Sequence, residues 1–260
     1  MTGTLFLVPN LLGAVPPASV LPARTIEIAR NLSHWLVETP KPARAFLKSI
    51  DVARPIAELT IRALSDDPPA DARFALGALA SGHDVGLLSD AGCPGVADPG
   101  AAIVAAAHTA GIRVVPLVGP SAVLLALMAS GMNGQRFVFH GYLPVKPDAR
   151  SAALRTLEQR SRAEARTELF IETPYRNVAM LGALADTLQT TTRVCVAADL
   201  TLDTETIECR SAGDWRRQEH ARFDRRPAIF LLQATVPKPI SKSGERSETA
   251  KARSKPRDST

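Results

Sequence analysis

Short apolar runs punctuate the first half of the chain, and a polar or glycine-bearing break follows each of them. Residues 4–8, 34–38, 85–88 and 113–117 are such runs, which the pattern predicts as buried strands. Between them, apolar positions recur at helical spacing. Ile26, Ile28, Ala29 and Leu32 predict a helix over about 22–32, and amphipathic or small-residue stretches predict helices over 43–50, 71–81 and 100–107. Gly82 and Gly111 stand where two of these helices should stop. Strands that are apolar throughout, alternating with helices, indicate a parallel sheet covered on both faces.

The second half has another rhythm. Ser121 is a good N-cap for a helix through Ser130, which Gly131 closes. Strands are expected at 137–142, 169–174, 194–198, 205–209 and 228–232, with helices over 149–163 and 178–188. The short spacing of the later strands implies a mixed sheet. The expected fold class is therefore α/β: two α/β domains, the first with a mostly parallel sheet and the second with a mixed one. We place the first domain at 1–117 and the second at 118–235, with Val118-Gly119-Pro120 as hinge, and read 236–260 as a disordered basic tail.

Composition narrows the picture in one respect. The formal charge of +5 is concentrated in residues 237–260, where seven Lys/Arg face three Asp/Glu, so the body carries only +1. The charge therefore describes a tail and gives no nucleic-acid face to the folded part. Three scattered cysteines, Cys93, Cys195 and Cys209, make no disulfide framework and no zinc spacing, so neither a bridge nor a metal is expected. Without a signal-peptide pattern or a long apolar span, the expectation is a cytoplasmic protein with no membrane association.

Candidate chemistry collects at the C-terminal ends of strands, where open α/β sheets bind ligands. Pro9, Glu38, the loop from Asp90 to Pro94, the segment from Gly119 to Ala122, and Glu172 all lie there. The richest stretch is 85–100: an apolar strand, a loop with three glycines before the next helix, then Ala-rich sequence. This shape brings main-chain N–H groups up to a ligand. It lacks both G-x-G-x-x-G and a P-loop lysine, so it is a small-molecule site without phosphate chemistry. Asp90 and Asp98 also suit capping of the turn or helix, and Cys93 reads as a small packed residue. Gly119-Pro120-Ser121-Ala122-Val123 is half of a serine-hydrolase elbow, with His220 as partner, which keeps an esterase as an alternative.

Six segments in order carry a resemblance. They are Leu7-Val8-Pro9; Leu88-Ser89-Asp90-Ala91-Gly92-Cys93-Pro94 with Ala97-Asp98-Pro99-Gly100; Val115 through Ala122; Ala129-Ser130-Gly131; Gly141-Tyr142-Leu143-Pro144; and Ile171-Glu172-Thr173-Pro174-Tyr175-Arg176. Together they resemble the tetrapyrrole methylase family of S-adenosylmethionine (SAM) methyltransferases, in the branch that includes an rRNA small-subunit enzyme. The resemblance implies a SAM cleft between two domains, usually in a homodimer. It implies cofactor contacts from Pro9, Asp90, Ala91, Gly92, Cys93, Val96, Ser121, Ala122, Ile171 and Ala198, with no metal. Glu38 and Glu172 are the candidate bases should the acceptor be a hydroxyl such as an rRNA ribose 2′-O. Arg44, Lys48, Arg150, Arg155 and Arg176 would then form a basic rim for RNA. Where the rRNA enzymes carry acidic Glu-Asp-Thr-Arg, this chain has Glu38-Thr39-Pro40-Lys41. Tyr175 replaces their His, and Asp199-Leu200-Thr201 replaces Glu-Leu-Thr-Lys. These differences on the presumed substrate face imply a paralogue with its own acceptor. A SAM-binding module without catalysis is the other alternative.

Overall fold

The computed structural model describes residues 2–235, and the expected tail lies outside them. The first half runs β1 (Leu5–Val8), α1 (Ala23–Asn31), β2 (His34–Val37), α2 (Pro40–Ser49), β3 (Thr60–Ala63), α3 (Pro68–Ala80), β4 (Val85–Leu88), α4 (Ala101–Thr109), β5 (Val114–Pro116) and α5 (Ala122–Ser130). Its five strands form a sheet in the order β3-β2-β4-β1-β5, with every pair parallel.

Each strand buries both faces. Trp35 and Val37 of β2 point to one side and pack with Ala29 of α1 and Phe46 and Leu47 of α2. Leu36 points to the other, with Leu79 of α3 and Ile103 of α4. Side chains alternate across a strand, so the unbroken apolar runs are what a sheet with two covers requires. The exceptions are the two edge strands: β5, with no fully buried residue, and β3, whose four residues are exposed or half-buried and include Arg62. The hydrophobic pattern does not announce β3.

Because all strands run one way, their C-terminal ends share one rim. The connection leaving β1 returns through α1 on one face, while the one leaving β4 returns through α4 on the other. β1 and β4 are neighbours, so their following loops part and open a crevice between them.

The second half runs β6 (Phe137–Tyr142), α6 (Pro147–Glu164), β7 (Thr167–Glu172), α7 (Asn177–Thr187), β8 (Arg193–Ala198), β9 (Thr206–Ser211), the short α8 (Ala212–Trp215) and β10 (Ala228–Gln233). The sheet order is β6-β7-β10-β8-β9, in which β6 and β7 are parallel and the remaining pairs antiparallel. One face, carrying Phe170, Val196 and Phe230, packs under α6 and α7. The other carries Leu169, Ala197 and Ile229, and α5 covers it with Ala126 and Leu127. Helix α5 therefore belongs to the second sheet's core, although it follows directly from the first sheet's last loop. Its start is as read from sequence: the Ser121 hydroxyl accepts from Leu124 N–H, and Gly131 ends it with φ 62°.

One expectation is corrected here. In the β8–β9 register Cys195 lies directly opposite Cys209, and the two form a disulfide. They are only 14 residues apart. The count of cysteines argued against a bridge, but the hairpin register decides it. Among the described residues no group of three or more His, Cys, Asp and Glu could hold a metal, and no helix is long and apolar enough to cross a membrane.

Candidate functional site

The loop after β4 is braced from two sides. From β1, the Asn10 side-chain amide donates to the carbonyls of Ser89 and Asp90, both at 3.0 Å, while the Asn10 N–H donates to Gly92 O at 2.8 Å. From β2, Glu38 Oε2 accepts from Asp90 N–H at 3.0 Å and Asp90 Oδ1 accepts from Thr39 N–H at 3.1 Å. Gly92 sits at φ +66°, which turns the chain back beneath Asn10 without the penalty an L side chain would meet. The sequence offered no signal for Asn10 beyond its place after Pro9, yet it is the residue that sets the loop's path.

A cavity of about 310 Å³ opens between this loop and the second sheet. Its first wall is Ala91, Gly92, Cys93, Val96, Ala97 and Asp98, continued by Ser121, Ala122 and Val123. The opposite wall is largely apolar, with Phe139, Ile171, Ala197, Leu200, Pro227, Ala228 and Ile229, joined by Tyr142, Glu172 and Asp199. Two non-glycine wall residues have left-handed backbones, Ala97 at φ 66° and Asp199 at φ 52°. Strained conformations of this kind concentrate at ligand sites.

Of the residues singled out from sequence, the cavity gathers Ala91, Gly92, Cys93, Val96, Ser121, Ala122, Ile171 and Glu172. It does not gather Pro9, Glu38, Asp90 or Ala198. Pro9 is buried behind the wall, where it limits Gly119: a Cβ there would lie 2.2 Å from Pro9 Cγ. Glu38 and Asp90 are spent on bracing each other's loops. Ala198 is one residue out of step; its neighbour Ala197 faces the cavity side while Ala198 packs beneath α6 and α7.

Asp98 is the acid of the first wall. It does not cap α4, whose N-cap is Gly100 with no side-chain hydrogen bond. Burial, and then the charge of Glu38, push its carboxyl up to about 6; Ser89 offsets part of this and Asp90 adds to it. Burial and the neighbouring Asp98 charge also raise the Cys93 thiol, which suits a packed residue better than a nucleophile.

Glu172 ends β7 and is 4% exposed. Its Oε1 accepts from Thr173 N–H at 2.7 Å, from the Thr173 hydroxyl at 3.2 Å and from two nitrogens of Arg176, while its Oε2 has no partner. Arg176 is thereby committed to Glu172, and Arg150 is buried on α6. The expected basic rim thus loses two of its members and keeps Arg44, Lys48 and Arg155, which are exposed.

The esterase reading fails on this geometry. The Ser121 hydroxyl caps α5, the wall contains no histidine, and the His220 ring lies against Trp215, bonded to its carbonyl at 3.0 Å. SAM fits better. Small residues let the main chain approach, and apolar surface faces a base.

Comparison with known proteins agrees. The model of the tetrapyrrole (corrin/porphyrin) methylases matches residues 37–214. The chain is 36% identical over 205 residues to ribosomal RNA small subunit methyltransferase I of Xylella fastidiosa, covering 79% of this chain and 71% of that protein. For the enzyme of the same name from Escherichia coli O157:H7, identity is 31% over 224 residues, covering 85% and 74%. Among solved structures, the methyltransferase CobJ superposes with a TM-score of 0.61, covering 92% of this chain and 98% of that one; at 18% identity this speaks for the fold alone. On this evidence the chain belongs to the tetrapyrrole (corrin/porphyrin) methylase family and is a methyltransferase that takes its methyl group from SAM.

Proposed function

We propose that the acceptor is a ribose hydroxyl of small-subunit ribosomal RNA and that the cavity between the two sheets is where transfer occurs. The observation that carries the reading is Asp98: a carboxylate on the cavity wall whose pKa is raised to about 6. SAM supplies an already activated methyl group, so the protein's task is to align an acceptor and remove its proton. Alignment of this kind is worth on the order of 7–11 kcal/mol.

In this reading Ala91, Gly92, Cys93, Val96, Ser121, Ala122 and Ile171 hold the cofactor, largely through main chain. Pro9, Asp90 and Ala198 support that surface from behind. Asp98 accepts the hydroxyl proton, for which a pKa near the working pH is favourable. Glu38, one of the two acids expected to act as base, works through Asp98: its charge keeps that carboxyl basic. Exposed Arg44 and Lys48 on α2, the helix that leaves the Glu38 loop, offer phosphate contacts. Such an acceptor places the protein in the cytoplasm with the ribosome. The names of the relatives support the RNA reading.

The test is transfer of label from methyl-labelled SAM to small ribosomal subunits that lack the modification. We expect label in RNA as an alkali-stable 2′-O-methylnucleotide, with Asp98→Asn slower by about 10²–10⁴-fold. Label in protein or in a small molecule would remove rRNA as acceptor.

A homodimer fits the surface. Leu124 and Met128, one turn apart on α5, are 50% and 78% exposed, and Val118 just before them is 69% exposed. A second copy of the chain would cover this apolar strip. Sedimentation equilibrium showing a monomer at micromolar concentration would rule that out.

A further inference from the structure

The chain has two tyrosines, Tyr142 and Tyr175, and both lie open to solvent, at 60% and 69% exposure, while both tryptophans, Trp35 and Trp215, are fully buried. Tyr142 ends β6 and Tyr175 stands just past the end of β7, its parallel neighbour. Tyr142 lines the cavity, and so does Pro174, which precedes Tyr175. Val145 and Val178, each three residues further on, are exposed as well. The aromatic pairs among the described residues involve neither tyrosine.

A bulge aims Tyr142. Phe139 pairs with Leu169 and Tyr142 with Ile171, so β6 advances three residues while β7 advances two. Gly141, at φ 64°, takes up the extra residue. Phe139, Leu169 and Ile171 share the face that packs with α5 and continues into the cavity. In unbroken register Gly141 would stand opposite Ile171, and Tyr142 would point to the other side of the sheet. Tyr175 is held by its neighbours: the Arg176 guanidinium backs its ring at 5.9 Å from the centroid. Cations accompany both rings. Lys146, four residues past Tyr142, is exposed. The Arg225 N–H donates to Pro174 O at 3.1 Å, and its guanidinium, 84% exposed, pairs loosely with Asp224 at 3.8 Å.

We propose that Tyr142 stacks against the base of the RNA nucleotide that receives the methyl group, and that Tyr175 stacks against a neighbouring base. This rests on the reading of RNA as acceptor. A ribose enters a cavity of about 310 Å³ only when its nucleotide is unpaired and turned out of its stack, and an aromatic face replaces the stacking it loses. In the proposed arrangement the cofactor sits against the first wall, whereas Tyr142 belongs to β6, the edge strand of the second sheet, beside the opening. Lys146 and Arg225 then meet the phosphates that flank the two bases.

The test is methyl transfer by the full chain, with saturating labelled SAM, to small ribosomal subunits that lack the modification. We expect Tyr142→Leu, which keeps apolar surface but removes the ring, to lower kcat/KM for subunits about 5- to 150-fold, the range for one base–aromatic stack. Tyr142→Phe restores the ring and should recover most of that loss. Tyr175→Leu should fall in the same range, through KM, since a flanking base is held equally before and during transfer. Calorimetric titration with S-adenosylhomocysteine should give Tyr142→Leu the wild-type affinity. Both rings are exposed, so the variants should fold, which melting curves check. Equal losses in Tyr142→Leu and Tyr142→Phe would assign the hydroxyl and refute stacking. An S-adenosylhomocysteine affinity that falls as far as transfer does would give the ring to the cofactor. Wild-type rates from Tyr142→Leu overturn the first stack, and from Tyr175→Leu the second. Each of these results leaves RNA as the acceptor; a wild type that labels protein or a small molecule but no RNA overturns the reading beneath.

Discussion

The two walls of the cavity are built on different principles. The first wall is main chain. Its surface is the loop after β4 and the start of α5, and the groups that shape it, Asn10, Glu38, Asp90 and Pro9, stand behind it. The second wall is side chain: Phe139, Ile171, Ala197 and Ile229 project from a sheet whose backbone is already paired, with Glu172 at its edge. A backbone wall tolerates few residues at its tight points, because any added Cβ displaces the chain. A side-chain wall can be re-cut by substitution without moving the strands. The first wall should therefore tolerate few substitutions and the second more.

The contrast breaks first at Gly119. A methyl group there would meet the Pro9 ring at 2.2 and 2.5 Å and Leu21 Cδ2 at 3.0 Å. The ring cannot swing aside as a flexible side chain would, so the β1 loop or the start of α5 must move. We expect Gly119→Ala to lower stability by about 1–3 kcal/mol, the usual cost of overpacking. It should also weaken S-adenosylhomocysteine more than the stability loss explains, since Ser121 and Ala122 shift with it. Denaturant titration and calorimetry measure the two effects. Should both be unchanged, the first wall owes nothing to close backbone approach and the comparison collapses.

The same contrast explains what could be read before the fold was known. The glycine loop, the capped start of α5 and the parallel sheet were legible because each depends on local residue type: apolar runs for strands, Ser121 and Gly131 for helix ends. Strand β3 was not, because an exposed edge strand containing Arg62 carries no burial signal. The Cys195–Cys209 bridge and the choice of Ala197 over Ala198 both turn on register, and a period of two reverses with one residue's shift. Glu38, Asp90 and Asp98 look alike in sequence, all acids near strand ends. Which of them faces ligand is fixed by the hydrogen bonds of Asn10 and Thr39, which exist only once β1, β2 and β4 are side by side.

The smallest effect expected is the most diagnostic of that division. Asp98 is the one cavity-facing acid on the backbone wall, raised from an ordinary 3.8 to about 6 by burial and by Glu38. Its folded-state pKa lies above its unfolded one, so between these values the native state holds the extra proton. The stability it contributes is full below 3.8 and is lost as pH rises through about 6. Asp98→Asn removes the titration. The variant should match the wild type in melting temperature near pH 3.5 and exceed it near pH 7.5, with the gap opening between those values. Because Asp98 is only half shielded from solvent, the gap should be modest. Adding Glu38→Gln to the wild type should reproduce part of it, since that charge is the second cause of the shift. A gap that stayed constant with pH would mean that Asp98 is not held as an uncomfortable carboxylate. The backbone wall would then carry no group suited to taking a proton, and the acid at its edge would be packing alone.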